Sequence, residues 1–331
     1  MVEVVNSLFT ETILQKTGAV SYAVEEVLQE LWSGYGQILR LRLEGGDCAT
    51  LIAKLIVLPE KVTHPRGWNT RLSHQRKKRS YQVESSWYRH FNSRCGAWCR
   101  TPEFIAYVEK DEESLLLLED LDDSGYPVRL STVTLSEVAL CLRWLAEFHA
   151  LFVQENRSAP DQLWKIGTYW HLATRPDEWA ALANSPLKSG ASAIDEKLNQ
   201  ARFQTLVHGD AKLANFCFSQ DSNKVSGLDF QYVGGGCGMK DVAYFLGSCL
   251  DEEIIATKEE ELLNMYFDSL TAALIGRQSA VDPVAVIAEW RELYPYAWAD
   301  FHRFLKGWCP SHWKLNGYSE RMTAGVLKGL Y

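Results

Sequence analysis

The sequence predicts an α+β chain, a small antiparallel sheet followed by a mainly helical second half. Three observations predict it. Segments before residue 121 alternate apolar and polar residues with a period of two. Segments after residue 122 carry apolar stripes at helical spacing behind capping boxes. Between them Asp122 to Arg129 (DDSGYPVR) is a Gly/Pro/Asp-rich connection. The domain reading is therefore 1–121 for the sheet and 122–331 for the helical part.

Gln37 to Glu44 (QILRLRLE) has the alternation of a half-buried strand, and Gly45-Gly46-Asp47 supplies a tight turn. Thr50 to Leu58 (TLIAKLIVL) reads as the returning strand. The basic run from His64 to Arg79, holding Arg66, Arg71, Arg76, Lys77, Lys78 and Arg79, reads as a solvated loop, with a nucleic-acid contact as the second possibility. Tyr81 to Phe91 is helical, with Val83, Trp87 and Phe91 on one face. Ser114 to Leu121 (SLLLLEDL) is an apolar run of strand length that ends in two acids. Thr134-Leu-Ser-Glu137 is a capping box opening a helix whose stripe is Val138, Cys141, Leu145, Phe148 and Phe152. A second box, Thr257-Lys-Glu-Glu260, opens a helix carrying Leu262, Leu263, Tyr266 and Leu270.

Composition narrows the function classes. The 331 residues are 47% hydrophobic and 23% charged, an ordinary globular balance. A net charge of -8 opposes general binding to nucleic-acid phosphates. No apolar run approaches the roughly 18 residues that span a bilayer. The opening residues lack a basic stretch followed by an apolar core, so no signal peptide is expected. The eight cysteines form no C-x-x-C pair and read as reduced thiols of a cytoplasmic protein.

Chemistry concentrates between Leu206 and Asp241. The strand end Leu206-Val207 runs into His208-Gly-Asp210-Ala-Lys212-Leu-Ala-Asn215. A hairpin, Phe216-Cys-Phe218 and Val225-Ser-Gly-Leu228, then leads to Asp229-Phe-Gln231. Two carboxylates and an amide gathered by a loop and a hairpin suit phosphoryl transfer, where a cation must neutralise phosphate charge and a carboxylate must orient an attacking hydroxyl. Mg²⁺ takes hard oxygen ligands, only one or two of them protein carboxylates, and Asp229 with the Asn215 carbonyl fits that role. Asp210 faces the acceptor hydroxyl. His208 is expected to pack and hold the loop, Asp241 to accept backbone amides, and His149 to lie in the core. Gly234-Gly-Gly236 reads as a flexible activation-segment-like loop.

His208-Gly-Asp210-x-x-x-x-Asn215 with Asp229-Phe-Gln231 resembles the catalytic loop and metal motif of aminoglycoside phosphotransferases and choline kinases, most closely the ecdysteroid-kinase-like branch. The resemblance implies a bilobal protein-kinase-like fold, with an antiparallel-sheet N-lobe, a mainly helical C-lobe, and ATP with Mg²⁺ in the cleft between them. It implies further site residues. Lys54 matches the lysine for the α- and β-phosphates, and Glu84 its helix partner. Glu119-Asp120-Leu121 is similar to the end of the adenine-binding segment. Gly34 and Gly36 match the nucleotide loop, which lacks the third glycine of G-x-G-x-x-G. Lys212 stands where protein kinases carry a lysine near the γ-phosphate, and Gln231 replaces the glycine of D-F-G. Leu145-Ala-Glu-Phe-His-Ala150 resembles a helix of the larger lobe.

The resemblance implies phosphate transfer to a hydroxyl of a small molecule: an amino alcohol of choline type, an aminoglycoside, or an apolar alcohol such as a steroid. The rival classes are a nucleotide-binding pseudokinase and a protein kinase. The short stretch from Asp229 to Asp241, with no Ala-Pro-Glu after it, leaves little room for a peptide-docking segment. The acceptor region is expected to hold Trp164, Tyr169, Trp170, Trp179, Trp290, Tyr294, Tyr296, Trp298, Trp308 and Trp313, whose faces attract ammonium groups or pack as core. Asp177, Glu178, Asp251, Glu252 and Glu253 could meet amines.

Overall fold

The structure, a computed structural model, describes residues 6–31, 34–58, 71–156 and 158–330. Trp32 and Ser33 of the nucleotide loop and residues 64–70 of the basic run lie outside the described residues. Two compact units form. One holds the chain up to Arg94 together with Thr101–Val128, and the other holds Cys95–Arg100 and the chain from Arg129 onward.

The first unit contains helix α1 (Ser7–Thr17), strands β1 (Ser21–Glu30), β2 (Gly36–Glu44) and β3 (Thr50–Val57), helix α2 (Arg71–His90), and strands β4 (Phe104–Lys110) and β5 (Glu113–Glu119). The sheet is antiparallel in the order β1-β2-β3-β5-β4. Alternation decides its two faces. Leu39, Leu41, Leu43, Leu51, Ala53, Leu115 and Leu117 point one way and bury Phe9 and Ile13 of α1. Lys54, which pairs with Ile38 and Leu116, points the other way, as does Ile56, which packs with Tyr81 of α2. α1, β1 and β4 were not legible from alternation, since β1 is exposed over most of its length. α2 begins at Arg71, so 71–79 of the basic run are helical rather than loop. Arg76 and Ser80 there are buried, and Lys77 covers the Tyr81 ring, which is why basic residues tolerate the helix.

The first unit runs to Val128, seven residues beyond Leu121. Arg40 of β2 ties the connection down, with its Nε 2.7 Å from Asp120 Oδ2 and a further pairing to Asp122. Residues 95–100 belong with the second unit because the Arg100 carbonyl accepts the Trp144 indole N–H at 2.8 Å and the Gly227 amide at 2.9 Å.

The second unit contains α3 (Leu135–Phe152), β6 (Gln154–Glu155), α4 (Pro176–Ala181), α5 (Pro186–Asn199), β7 (Phe203–Val207), β8 (Phe216–Phe218), β9 (Val225–Gly227), β10 (Gly234–Gly236), α6 (Met239–Cys249), α7 (Glu252–Gly276), α8 (Pro283–Trp308) and α9 (Gly317–Leu330). α3 starts at the expected box, where Glu137 Oε2 accepts the Thr134 amide at 2.7 Å and its hydroxyl at 3.0 Å. Two expectations are corrected. Thr257 does not open a helix: α7 begins at Glu252 after Asp251, and the Thr257 hydroxyl donates to the Glu253 carbonyl one turn back. Gly234–Gly236 is a strand paired antiparallel with β7, not a loop. A Cβ on Gly234 would lie 2.3 Å from the Trp164 carbonyl, so the glycines serve close packing. No disulfide joins the eight cysteines among the described residues. Among the described residues no helix is long and apolar enough to cross a membrane.

Candidate active site

In the first unit, Lys54 and Glu84 meet. Lys54 Nζ lies 2.9 Å and 2.7 Å from the two Glu84 carboxylate oxygens, a bidentate contact between side chains only 6% and 4% exposed. A buried ammonium needs such a partner. The pairing follows from two periodicities. Alternation turns Lys54 toward α2, and the i,i+3 spacing sets Glu84 beside Tyr81, whose ring lies 5.6 Å from the same ammonium. Gly34 and Gly36 have positive φ, and a Cβ on Gly36 would lie 2.0 Å from the Leu55 carbonyl. Gly36 is therefore required by the approach of β3. Glu119 Oε2 accepts the Glu103 amide at 2.8 Å. Asp120 is nearly buried and takes Arg40, the Thr50 hydroxyl and the Asp122 amide. Leu121 is buried. The carboxylates of 119–120 thus hold the chain in place.

In the second unit, β7 delivers His208–Asn215. Gly209 sits at φ +79 with a would-be Cβ 2.2 Å from the Tyr232 carbonyl, so the turn needs glycine. Asp241, at the start of α6, accepts the His208 amide at 2.5 Å and the Gly209 amide at 2.9 Å. His149 steadies Asp241 with Nε2 at 3.1 Å, while its Nδ1 lies 2.8 Å from the Tyr266 hydroxyl. His208 Nδ1 accepts the Asp210 amide at 3.3 Å, so Nε2 carries the proton and donates to the Leu228 carbonyl at 2.9 Å. Both ring nitrogens are engaged in holding the loop.

Three donors converge on Asp210. Lys212 Nζ lies 3.0 Å and Asn215 Nδ2 3.2 Å from Oδ2, and Tyr244 Oη donates to Oδ1 at 3.0 Å. The Asn215 amide also donates to the Asp210 carbonyl at 2.8 Å. This orients its own side-chain carbonyl away, and that oxygen takes no hydrogen bond among the described residues. Asp229 adopts φ +69 directly after Leu228, whose amide bonds the Asn215 carbonyl at 3.0 Å. Burial pulls the Lys212 pKa down, but the Asp210 and Asp229 charges outweigh it and raise it. Lys212 therefore feels both carboxylates.

No group of three or more His, Cys, Asp or Glu suited to a metal occurs among the described residues. The candidate ligands are one carboxylate, Asp229, and the Asn215 amide oxygen that takes no hydrogen bond among the described residues. Hard oxygen donors in that small number fit Mg²⁺, which keeps phosphate and water in its remaining positions.

Tyr244 was missed by sequence reading. Its signal was position: one turn after Asp241 on α6, on the face that meets the loop. Burial and the Asp210 charge raise its pKa well above the ordinary value, so it stays a donor. The aromatic residues divide. Trp170, Trp290, Tyr294 and Trp298 are core, whereas Trp179 and Trp313 are exposed. Glu178 is buried and paired with Arg175 at 3.2 Å, so its carboxylate is committed internally.

Residues 96–170 and 175–276 match the ecdysteroid kinase-like family, more than half of the chain, and the chain belongs to that family. Its architecture is α+β, a sheet unit and a mainly helical unit. Among solved structures it is similar to an ethanolamine kinase from Plasmodium vivax, at 10% identity over 96% of this chain and 86% of that one, TM-score 0.48. It is also similar to an aminoglycoside phosphotransferase from Streptomyces rimosus in complex with ADP and streptomycin, at 15% identity over 89% and 99%, TM-score 0.46. A third is an aminoglycoside-3'-phosphotransferase of type VIII, at 16% identity over 87% and 100%, TM-score 0.43. No curated protein matches the chain.

Proposed function

We propose that the protein is an ATP-dependent phosphotransferase that moves the γ-phosphate to a hydroxyl of a small molecule. The observation that carries this reading is the coordination of Asp210. A carboxylate offers about four lone-pair sites. Lys212, Asn215 and Tyr244 occupy three. One site on Oδ1 remains for an incoming hydroxyl, whose proton Asp210 accepts as its oxygen bonds to phosphorus and the bond to the departing ADP breaks. General-base action of this kind is typically worth about 10²–10⁴-fold.

The other residues supply binding and charge. Lys54, oriented by Glu84, holds the α- and β-phosphates. Gly34, Gly36 and the 119–121 segment serve the nucleotide. Asn215 Oδ1 and Asp229 would hold Mg²⁺, which when bound neutralises phosphate charge. Lys212 restrains Asp210 and balances charge on the transferred group. Asp241 and His149 keep the loop rigid, so the base is positioned before substrate arrives.

The test is ADP formation from Mg-ATP over a panel of amino alcohols, aminoglycosides, sugars and sterols, with mass spectrometry of the product. An acceptor-dependent signal giving a phosphate monoester is expected. Nucleotide binding with no transfer to any acceptor makes the chain a pseudokinase instead.

A further inference from the structure

Tyr244, which donates to Asp210, also carries a cation on its ring. Lys314 Nζ lies 4.6 Å from the Tyr244 centroid, 5.5 Å from that of Trp313 and 5.6 Å from that of Phe301. The lysine sits between α8 and α9 in a segment that is itself held. Its amide donates to His312 Nδ1 at 3.2 Å, its carbonyl accepts the Ser319 hydroxyl at 3.3 Å, and the adjacent Leu315 packs on the cluster of Trp170, Tyr244 and Phe301. Among the described residues, Lys314 Nζ makes no hydrogen bond and no ion pair. Three aromatic faces around an ammonium form the seat that quaternary ammonium ligands use elsewhere. Here the chain's own side chain occupies it.

We propose that Lys314 is a specificity residue of the acceptor site, its ammonium filling the aromatic seat beside Asp210, so that the site takes neutral or anionic hydroxyl compounds and refuses ammonium-bearing ones. This rests on the phosphotransferase reading above. A cationic acceptor with its hydroxyl at Asp210 would find the seat filled and would meet like charge from Lys314 and Lys212. Repulsion of that kind discriminates on the order of a hundredfold. A neutral polyol or an anionic alcohol would instead gain ammonium protons that no other described group uses.

The titratable groups acting on this ammonium are Asp210 and Lys212 from the loop and Cys249 and Tyr244 from α6. Burial lowers the Lys314 pKa to about 8, against the pull of Asp210. Cys249 is pushed up to about 12 by burial, and burial raises Tyr244 too, so both stay neutral between pH 7 and 9.

The test compares choline with its neutral isostere 3,3-dimethylbutan-1-ol as acceptors for wild type, Lys314→Ala and Lys314→Arg. In wild type, kcat/KM should favour the neutral alcohol on the order of a hundredfold, mainly through KM. Lys314→Ala should shrink that preference about tenfold or more, and Lys314→Arg should keep it. Equal use of both alcohols by wild type, or a preference unchanged in Lys314→Ala, overturns the proposal. Calorimetry of choline alone decides the matter if neither alcohol is turned over: Lys314→Ala should bind about tenfold tighter than wild type, and no gain overturns it. Should the variant fail to fold, wild type is titrated from pH 7 to pH 9, where choline binding should tighten about tenfold and a flat profile overturns it. An absence of acceptor-dependent ADP formation across the wider panel refutes the phosphotransferase reading alone, since the choline comparison still reports on the seat.

Discussion

Tyr244 Oη donates to Asp210 Oδ1 at 3.0 Å from a fully buried position, with its ring packed against Trp170 at 4.8 Å and Phe301 at 4.9 Å. The phenol fixes which lone pair of the base remains open. Removing the hydroxyl by Tyr244→Phe keeps the ring packing and loses the restraint. Turnover with the acceptor should fall about tenfold while the ATP dissociation constant is unchanged, since a hydrogen bond to a charged group is worth about 1.5–3 kcal/mol. Steady-state kinetics with separate nucleotide titration checks this. A loss of ATP affinity would place Tyr244 in a different role.

Asp210→Asn keeps the side chain's shape but sets an amide against Lys212, Asn215 and Tyr244 and removes the proton acceptor. Turnover should drop by about 10²–10⁴-fold with nucleotide binding retained. Single-turnover transfer measured beside calorimetric ATP binding separates the two effects.

The loop from His208 to Asn215 and the hairpin after it were legible as elements, because short apolar runs there are broken by polar turn residues. The Lys54–Glu84 pairing was legible because a lysine between Ala53 and Leu55 has to find a counter-charge. Features decided by tertiary packing were not. Strand β1 is too exposed to alternate clearly, and Gly234–Gly236 has no side chains to show a period. Thr257 had the spacing of a cap, but α7 had already started five residues earlier, after Asp251. Lys314 meets the Tyr244 ring from the connection between α8 and α9, far from the loop in sequence, which no local pattern encodes.

Lys54 and Glu84 give a double-mutant prediction. Glu84→Leu leaves an ammonium only 6% exposed without its carboxylate, which should cost about 3–5 kcal/mol of stability. Adding Lys54→Met should restore most of it, because neutral side chains of similar length suit that environment. The double variant should still lose ATP affinity. Urea unfolding and nucleotide binding of the four proteins in the cycle check both halves, and two losses that simply add would show the pair to be uncoupled.

His302, on α8, gives a prediction for the acid side of the stability profile. Burial lowers its pKa from 6.5 to about 4, although Glu320 pulls the other way with an oxygen 3.8 Å from Nε2. Its Nδ1 lies 3.0 Å from the Ser319 hydroxyl, a contact that suits the neutral ring. Because the folded pKa is the lower one, the unfolded chain binds the proton first as pH falls. The contribution is fully present above pH 6.5 and is lost progressively down to about pH 4. Complete loss is worth roughly 3 kcal/mol, since each pKa unit corresponds to about 1.4 kcal/mol. His302→Gln, which cannot take up a proton in either state, should flatten the decline between pH 6.5 and pH 4 relative to wild type, whatever its stability at pH 7. Denaturant midpoints measured across that window provide the check, and parallel profiles for the two proteins would assign the acid sensitivity to other groups.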